Sequence, residues 1–111
     1  MSKFVIQGQS PLTGQINISG AKNSALKIIP ASLLSEETIT ISNLPAIEDI
    51  KLSLEIIRAV GGMVNRQDHQ CSISTKNIQT TSIPPELANK FRASIMFVGP
   101  ILARTGEVSF P

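Results

Sequence analysis

Six consecutive residues, Ser19-Gly20-Ala21-Lys22-Asn23-Ser24, bring together the groups that bind anions. They fall where an alternating stretch ends and a helical one begins. A helix N-terminus presents free N–H groups and partial positive charge, and so favours anions. Gly20 would let a ligand approach the backbone closely. Lys22 adds a mobile cation, and Asn23 offers both a donor and an acceptor. Together they could hold a phosphate or a carboxylate. The same residues also suit a plainer role, a solvated lysine beside an Asn or Ser cap, and residue types alone leave both open.

Arg92, after Phe91 on a third helical stretch, could clamp a phosphate or carboxylate bidentately. Its plainer role is a surface ion pair with Glu86 or Asp49, and residue type favours that one. Arg104 sits near a helix C-terminus, where a cation is favourable in any case, so it reads as structural. Glu48 and Asp49 open the second helix and suit its dipole. His69, in a hairpin turn, reads as solvated, and Cys71, in an alternating strand, as a small buried hydrophobe. The chain carries no Gly-rich phosphate loop, HExxH or Gly-x-Ser-x-Gly motif.

The elements that must position these residues are legible from periodicity. Phe4 to Gln7 reads as a short strand and Gln15 to Ser19 as a half-buried one, with Ile16 and Ile18 on one face. A helix follows, capped by Asn23 or Ser24 and running to about Leu34. Pro30 should kink it. Thr38 to Ser42 is a further strand. Ile47, Ile50, Leu54 and Ile57 form the buried stripe of a second helix, closed by Gly61-Gly62. Met63 to Arg66 and Cys71 to Ser74 predict a hairpin around Asp68 and His69. Leu87, Phe91, Ile95, Val98 and Leu102 predict a third helix, which must tolerate Pro100. Glu107 to Phe110 opens another strand. Strand–helix alternation of this kind predicts an α/β fold with helices packed on a sheet.

Composition narrows the functional class. The 111 residues suffice for one small domain, and 41% hydrophobic content supports a core. Four Phe with no Trp or Tyr offer no stacking platform for single-stranded nucleic acid, and the net charge of +2 is scattered. No nucleic-acid partner is expected. One cysteine cannot make an internal disulfide or a Cys-based zinc site. The N-terminus lacks the apolar core of a signal peptide. The longest apolar stretch, Ser94 to Ala103, is too short to span a bilayer. A soluble, cytoplasmic protein with no membrane partner is the expectation.

Two segments resemble UDP-N-acetylglucosamine 1-carboxyvinyltransferases, within the wider EPSP synthase superfamily. One is Gly14-Gln15-Ile16-Asn17-Ile18-Ser19-Gly20-Ala21-Lys22-Asn23-Ser24-Ala25-Leu26. The other is Arg92-Ala93-Ser94-Ile95, followed by Gly99-Pro100-Ile101-Leu102-Ala103-Arg104. The resemblance runs over essentially the whole chain and corresponds to the N-terminal part of such an enzyme. It implies two similar lobes, each an inside-out α/β barrel built from βαβαββ units, with the active site between them. Residues 1–20 would belong to the second lobe and 21–111 to the start of the first. The implied reaction moves the enolpyruvyl group of phosphoenolpyruvate to the 3-hydroxyl of UDP-N-acetylglucosamine, in peptidoglycan precursor synthesis, with no cofactor or metal. Lys22 and Asn23 match phosphoenolpyruvate-binding positions. Arg92, again with Asn23, matches the nucleotide-sugar site, and Asp49 matches an acidic position near the cleft.

The family's reactive cysteine loop would follow the strand begun at Glu107, beyond Pro111, so Cys71 does not match it and no catalytic residue falls within the chain. The expectation is a truncated product or fragment, inactive alone. Two rivals stand beside this reading. The sister enzyme acting on shikimate 3-phosphate usually carries Gly-Ser-Lys-Ser where this chain has Gly20-Ala21-Lys22-Asn23. A non-catalytic remnant or binding module would instead have to cover its exposed apolar faces with a partner.

Overall fold

A computed structural model of the chain describes residues 2–111. The second helix of the sequence pattern is the centre of the fold. It spans Glu48–Ala59 and buries Ile50, Leu52, Ser53, Leu54, Ile56 and Ile57. These residues point to more than one side, and a helix apolar on several sides must be enclosed. The helix Lys22–Ala31, here α1, packs along it, so Glu48–Ala59 is α2. A three-stranded sheet, β1 (Ile39–Ile41), β2 (Met63–Gln67) and β3 (Gln70–Ser74), forms the neighbouring layer.

The sheet order is β1-β3-β2, and both pairings are antiparallel. β1 and β2 therefore run the same way, joined through α2, with β3 inserted between them. The register sets the two faces. Ile39, Ile73 and Val64 form one inward row, and Ile41, Cys71 and Arg66 the next. Thr40, Ser72 and Asn65 form an outward row, where the Thr40 and Ser72 hydroxyls lie 3.3 Å apart. The period-2 pattern thus puts the apolar row on the helices and the polar row in solvent.

α1 differs from its expected form at both ends. Its N-cap is Ala21, in extended geometry and without a side-chain cap, so neither Asn23 nor Ser24 caps it. Lys22 and Asn23 are instead the first two helical residues. Pro30 causes no mid-helix break, because it sits in the last turn. Beyond it the helix tightens into a 3-10 turn, Ser32–Leu34, where the Ser32 hydroxyl donates to the Ile29 carbonyl at 2.6 Å.

The third helical stretch is three pieces rather than one. A short helix, α3 (Pro85–Ala88), ends before Phe91, whose backbone is extended (φ −156°, ψ 144°). A 3-10 segment, Arg92–Phe97, leads into α4, Val98–Thr105. The buried Ser94 hydroxyl faces the carbonyls of Ala88 (3.1 Å) and Phe91 (2.9 Å), satisfying groups freed by the break. Pro100 lies in the first turn of α4, where its missing N–H costs nothing. Gly106, at φ 86°, ends α4 in the left-handed conformation a side chain disfavours.

Three expected strands are not strands here. Phe4 to Gln7 and Gln15 to Ser19 have no strand pairing and are exposed throughout. Glu107 to Phe110 makes a single parallel bridge, Ser82 to Ser109. An alternating pattern codes for a strand only when a partner edge is present; the first two segments have none within residues 2–111, and the third has only that bridge.

Candidate functional site

The predicted lysine and the predicted acidic residue meet. Lys22 Nζ lies 3.1 Å from Asp49 Oδ2, linking the first turn of α1 to the first turn of α2. Both side chains keep solvent access, 54% for Lys22 and 32% for Asp49. The lysine is therefore neither free nor merely solvated. Asp49 also sits where the α2 dipole favours a negative charge. Two helix starts and one exposed cation thus converge on one edge of the molecule.

Asn23, next to Lys22, faces another seam. α1 packs on the 3-10 segment Arg92–Phe97, and a cavity of about 230 Å³ between them is lined by Asn23, Leu26, Lys27, Ala93 and Met96. Arg92 opens that segment directly beside Ala93 and is exposed. It makes no ion pair with Glu86 or Asp49 among the described residues; Asp49 is taken by Lys22. Lys22 and Asp49 thus meet, Asn23 lines the adjoining α1 seam, and Arg92 opens the segment on the other side of that seam, without an ion pair among the described residues.

Gly20 serves a purpose other than the one expected. A Cβ there would overlap the Asn43 carbonyl and lie 3.2 Å from Pro45 Cδ. The open side of the glycine is filled by the chain itself, so it does not receive a ligand. The 43–45 loop is in turn held by the β2–β3 hairpin. The Leu44 N–H donates to the His69 carbonyl at 2.7 Å, His69 Nδ1 lies 2.9 Å from the Leu44 carbonyl, and Arg66 Nη2 donates to the Pro45 carbonyl at 3.2 Å. Asn43, at φ 54°, donates from Nδ2 to the Ile18 carbonyl at 3.3 Å. A hairpin turn thereby fixes the loop that shapes the entrance to α1. His69 and Arg66 carry this role, which residue type alone did not reveal, since their partners are carbonyls of distant residues.

The remaining candidates are structural. Arg104 donates to the carbonyls of Leu33 (2.8 Å), Ser35 (3.3 Å), Thr75 (2.7 Å) and Lys76 (3.2 Å), so its role is structural, but through other segments rather than the end of its own helix. Cys71 is fully buried in the inner row of the sheet. Burial pushes its thiol above the usual value, against a smaller opposing pull from Arg66 and Arg58, so it stays protonated and unreactive at neutral pH. Among the described residues, no group of three His, Cys, Asp or Glu is arranged to hold a metal, and no helix is long and apolar enough to cross a membrane.

The chain is similar to known proteins in sequence and in fold. A UDP-N-acetylglucosamine 1-carboxyvinyltransferase from Treponema denticola is 43% identical over all of this chain, which covers 26% of that protein. One from Prochlorococcus marinus is 44% identical over 96% of the chain, covering 23% of its own length. The chain thus spans about a quarter of the length of the curated relatives it matches. In three dimensions it resembles the enolpyruvyl transferase NikO from Streptomyces tendae, with a TM-score of 0.75 at 23% identity, over 86% of this chain and 22% of that one. That likeness establishes the fold, an α/β fold of the enolpyruvyl transferase kind. The family model of EPSP synthase (3-phosphoshikimate 1-carboxyvinyltransferase) matches residues 6–111, and the chain belongs to that family.

Proposed function

We propose that this chain is part of an enzyme that transfers the enolpyruvyl group of phosphoenolpyruvate to the 3-hydroxyl of UDP-N-acetylglucosamine, in the cytoplasm, for peptidoglycan precursor synthesis. The observation that carries this reading is the 43% identity, over the whole chain, to a relative named for that activity. The Ala21-Lys22-Asn23 start of α1 supports it, because a lysine and an amide there suit a phosphorylated, carboxylated donor.

In this reading Lys22 and Asn23 bind phosphoenolpyruvate. Asn23 also faces the nucleotide sugar, which Arg92 contacts from across the α1 seam, and Asp49 borders the cleft. Residues 1–20 belong to one lobe and residues 21–111 to the other. The sugar hydroxyl gives up its proton as its oxygen bonds to C2 of the donor, and C3 takes up a proton as the double bond opens, giving a tetrahedral ketal. Loss of phosphate from C2 and of a proton from C3 then restores the double bond. Cations placed around the donor beforehand lower the barrier to the first step. Lys22 supplies one of them, and a nearly trianionic donor needs several.

A chimera provides the test. This chain replaces the matching quarter of the Treponema denticola relative, and phosphate release is followed. Release that requires both phosphoenolpyruvate and UDP-N-acetylglucosamine, and falls about 100-fold or more in Lys22→Ala, is the expected result. The 111-residue chain alone should release none. The family model's description favours a second reading, with shikimate 3-phosphate as acceptor. Turnover with that acceptor and not with the nucleotide sugar would establish it instead.

A further inference from the structure

We infer that Asp49 is a displaceable counter-ion that competes with the phosphate group for Lys22, keeping the lysine occupied when the site is empty and easing phosphate release afterwards. The inference rests on the reading that Lys22 holds a phosphate. It adds a role for Asp49 as a residue that tunes phosphate affinity.

The geometry is that of a pair made to exchange. Nζ and Oδ2 are in contact at 3.1 Å, close enough that an incoming anion must share or take the ammonium. The lysine is 54% exposed, so an anion can reach it from solvent without opening the core. An ion pair this exposed is weak, because water and salt screen it. Asp49 also loses little when it releases the lysine. It lies in the first turn of α2, whose N–H groups and dipole stabilise its charge independently. A phosphate dianion outweighs one carboxylate and displaces it. As the phosphate departs, the carboxylate returns. A permanent partner would look different, buried and with further hydrogen bonds to its carboxylate, as Arg104 is held by four carbonyls.

Glu48 provides an internal control. It precedes Asp49 in the same first turn, carries the same charge and makes no ion pair among the described residues. Glu48→Gln removes the same charge from the same helix end and leaves the Lys22 contact in place. Asp49→Asn removes the competitor itself.

The experiment titrates inorganic phosphate into the protein and follows the Lys22 side-chain and Ala21–Ser24 backbone resonances. Four proteins are compared at low salt: unmodified, Asp49→Asn, Glu48→Gln and Lys22→Ala. The expected result is phosphate binding about two- to fivefold tighter in Asp49→Asn, a smaller change in Glu48→Gln, and loss of binding in Lys22→Ala. The Asp49→Asn gain should shrink toward nothing near 1 M salt, where screening acts over about 3 Å. Equal or weaker binding by Asp49→Asn overturns the inference, since Asp49 would then be positioning the lysine. Equal gains in Asp49→Asn and Glu48→Gln also overturn it, because a general field effect would explain both. If Lys22→Ala binds phosphate as well as the unmodified protein, the phosphate reading of Lys22 fails, and the inference falls with it. That outcome is distinct from the first two, in which Lys22 still matters.

Discussion

Arg104 shows how one side chain can tie together segments that the sequence keeps far apart. It links the end of the 3-10 turn after α1, through Leu33 and Ser35, to the end of β3, through Thr75 and Lys76. The Thr75 hydroxyl adds to the Arg104 node, its one proton facing the carbonyls of Ser32 (3.2 Å) and Ser35 (3.0 Å). Its planar fork reaches divergent carbonyls that a single ammonium cannot serve at once. Arg104→Met should cost about 2–4 kcal/mol in urea unfolding, because the part-buried carbonyls of Leu33, Ser35 and Thr75 lose their donor together. Arg104→Lys should recover less than half of that. A lysine variant as stable as the original would show that the charge, and not the fork, matters. Residue types singled out Lys22 and Asn23 because both fall at the start of a helix. They did not reveal the pairing of Lys22 with Asp49, which is a tertiary contact between two helix starts. Nor could they reveal the partners of Arg104, since a backbone carbonyl leaves no mark in a sequence.

At the scale of elements, the legible parts are those whose partners are local or many-sided. α2 declared itself by its apolar stripe and its Gly61-Gly62 stop, and the β2–β3 hairpin by two alternating runs around Asp68, which turns at φ 52°. The stretch from Leu87 to Leu102 misled because one helical spacing was carried across a break. The extended Phe91 and the Ser94 hydroxyl interrupt the helix and shift its inward face: Phe91 is buried and Leu87 and Val98 are half-buried, but Ile95 and Leu102 are exposed, and Ser94, Phe97 and Ile101 are buried instead. Gly20 was expected to admit a ligand, but the group that approaches it is the 43–45 loop. Gly20→Ala therefore tests the junction. The new methyl must push the Asn43 carbonyl aside, which should cost about 1–3 kcal/mol. It should also displace the start of α1, seen as backbone shift changes at Lys22 and Asn23 and weaker phosphate binding. A neutral effect on both stability and shifts would mean that the loop, despite its ties to His69 and Arg66, yields freely.

For the molecule as a whole, the residues before α1 stand apart from the rest. The Cα radius of gyration is 17.4 Å and the longest extent 59 Å. A compact domain of this length would have a radius of about 13 Å. Phe4, Val5, Ile6, Leu12, Ile16 and Ile18 are each at least 80% exposed. Among the described residues, the hydrogen bond that reaches this segment is the one from Asn43 to the Ile18 carbonyl. Residues from Ala21 onward, by contrast, enclose a continuous core running from Ala25 to Ile101. The pattern that predicted strands at 4–7 and 15–19 specifies a half-buried strand without specifying its partner edge, and neither segment is a strand here. Two stabilities should therefore coexist in one chain. In hydrogen exchange of the 111-residue chain, amides before Gly20 should exchange at nearly unprotected rates, while those of Ile29, Ile56 and Ile57 should be protected to the level of global unfolding. The protection at 29–57 should survive removal of residues 2–19, because that segment buries nothing of the core. Protection at 15–19 that grows with protein concentration would show the opposite, copies of the chain adding strands to one another. Strand-coding segments with unpaired edges carry that hazard when no partner covers them.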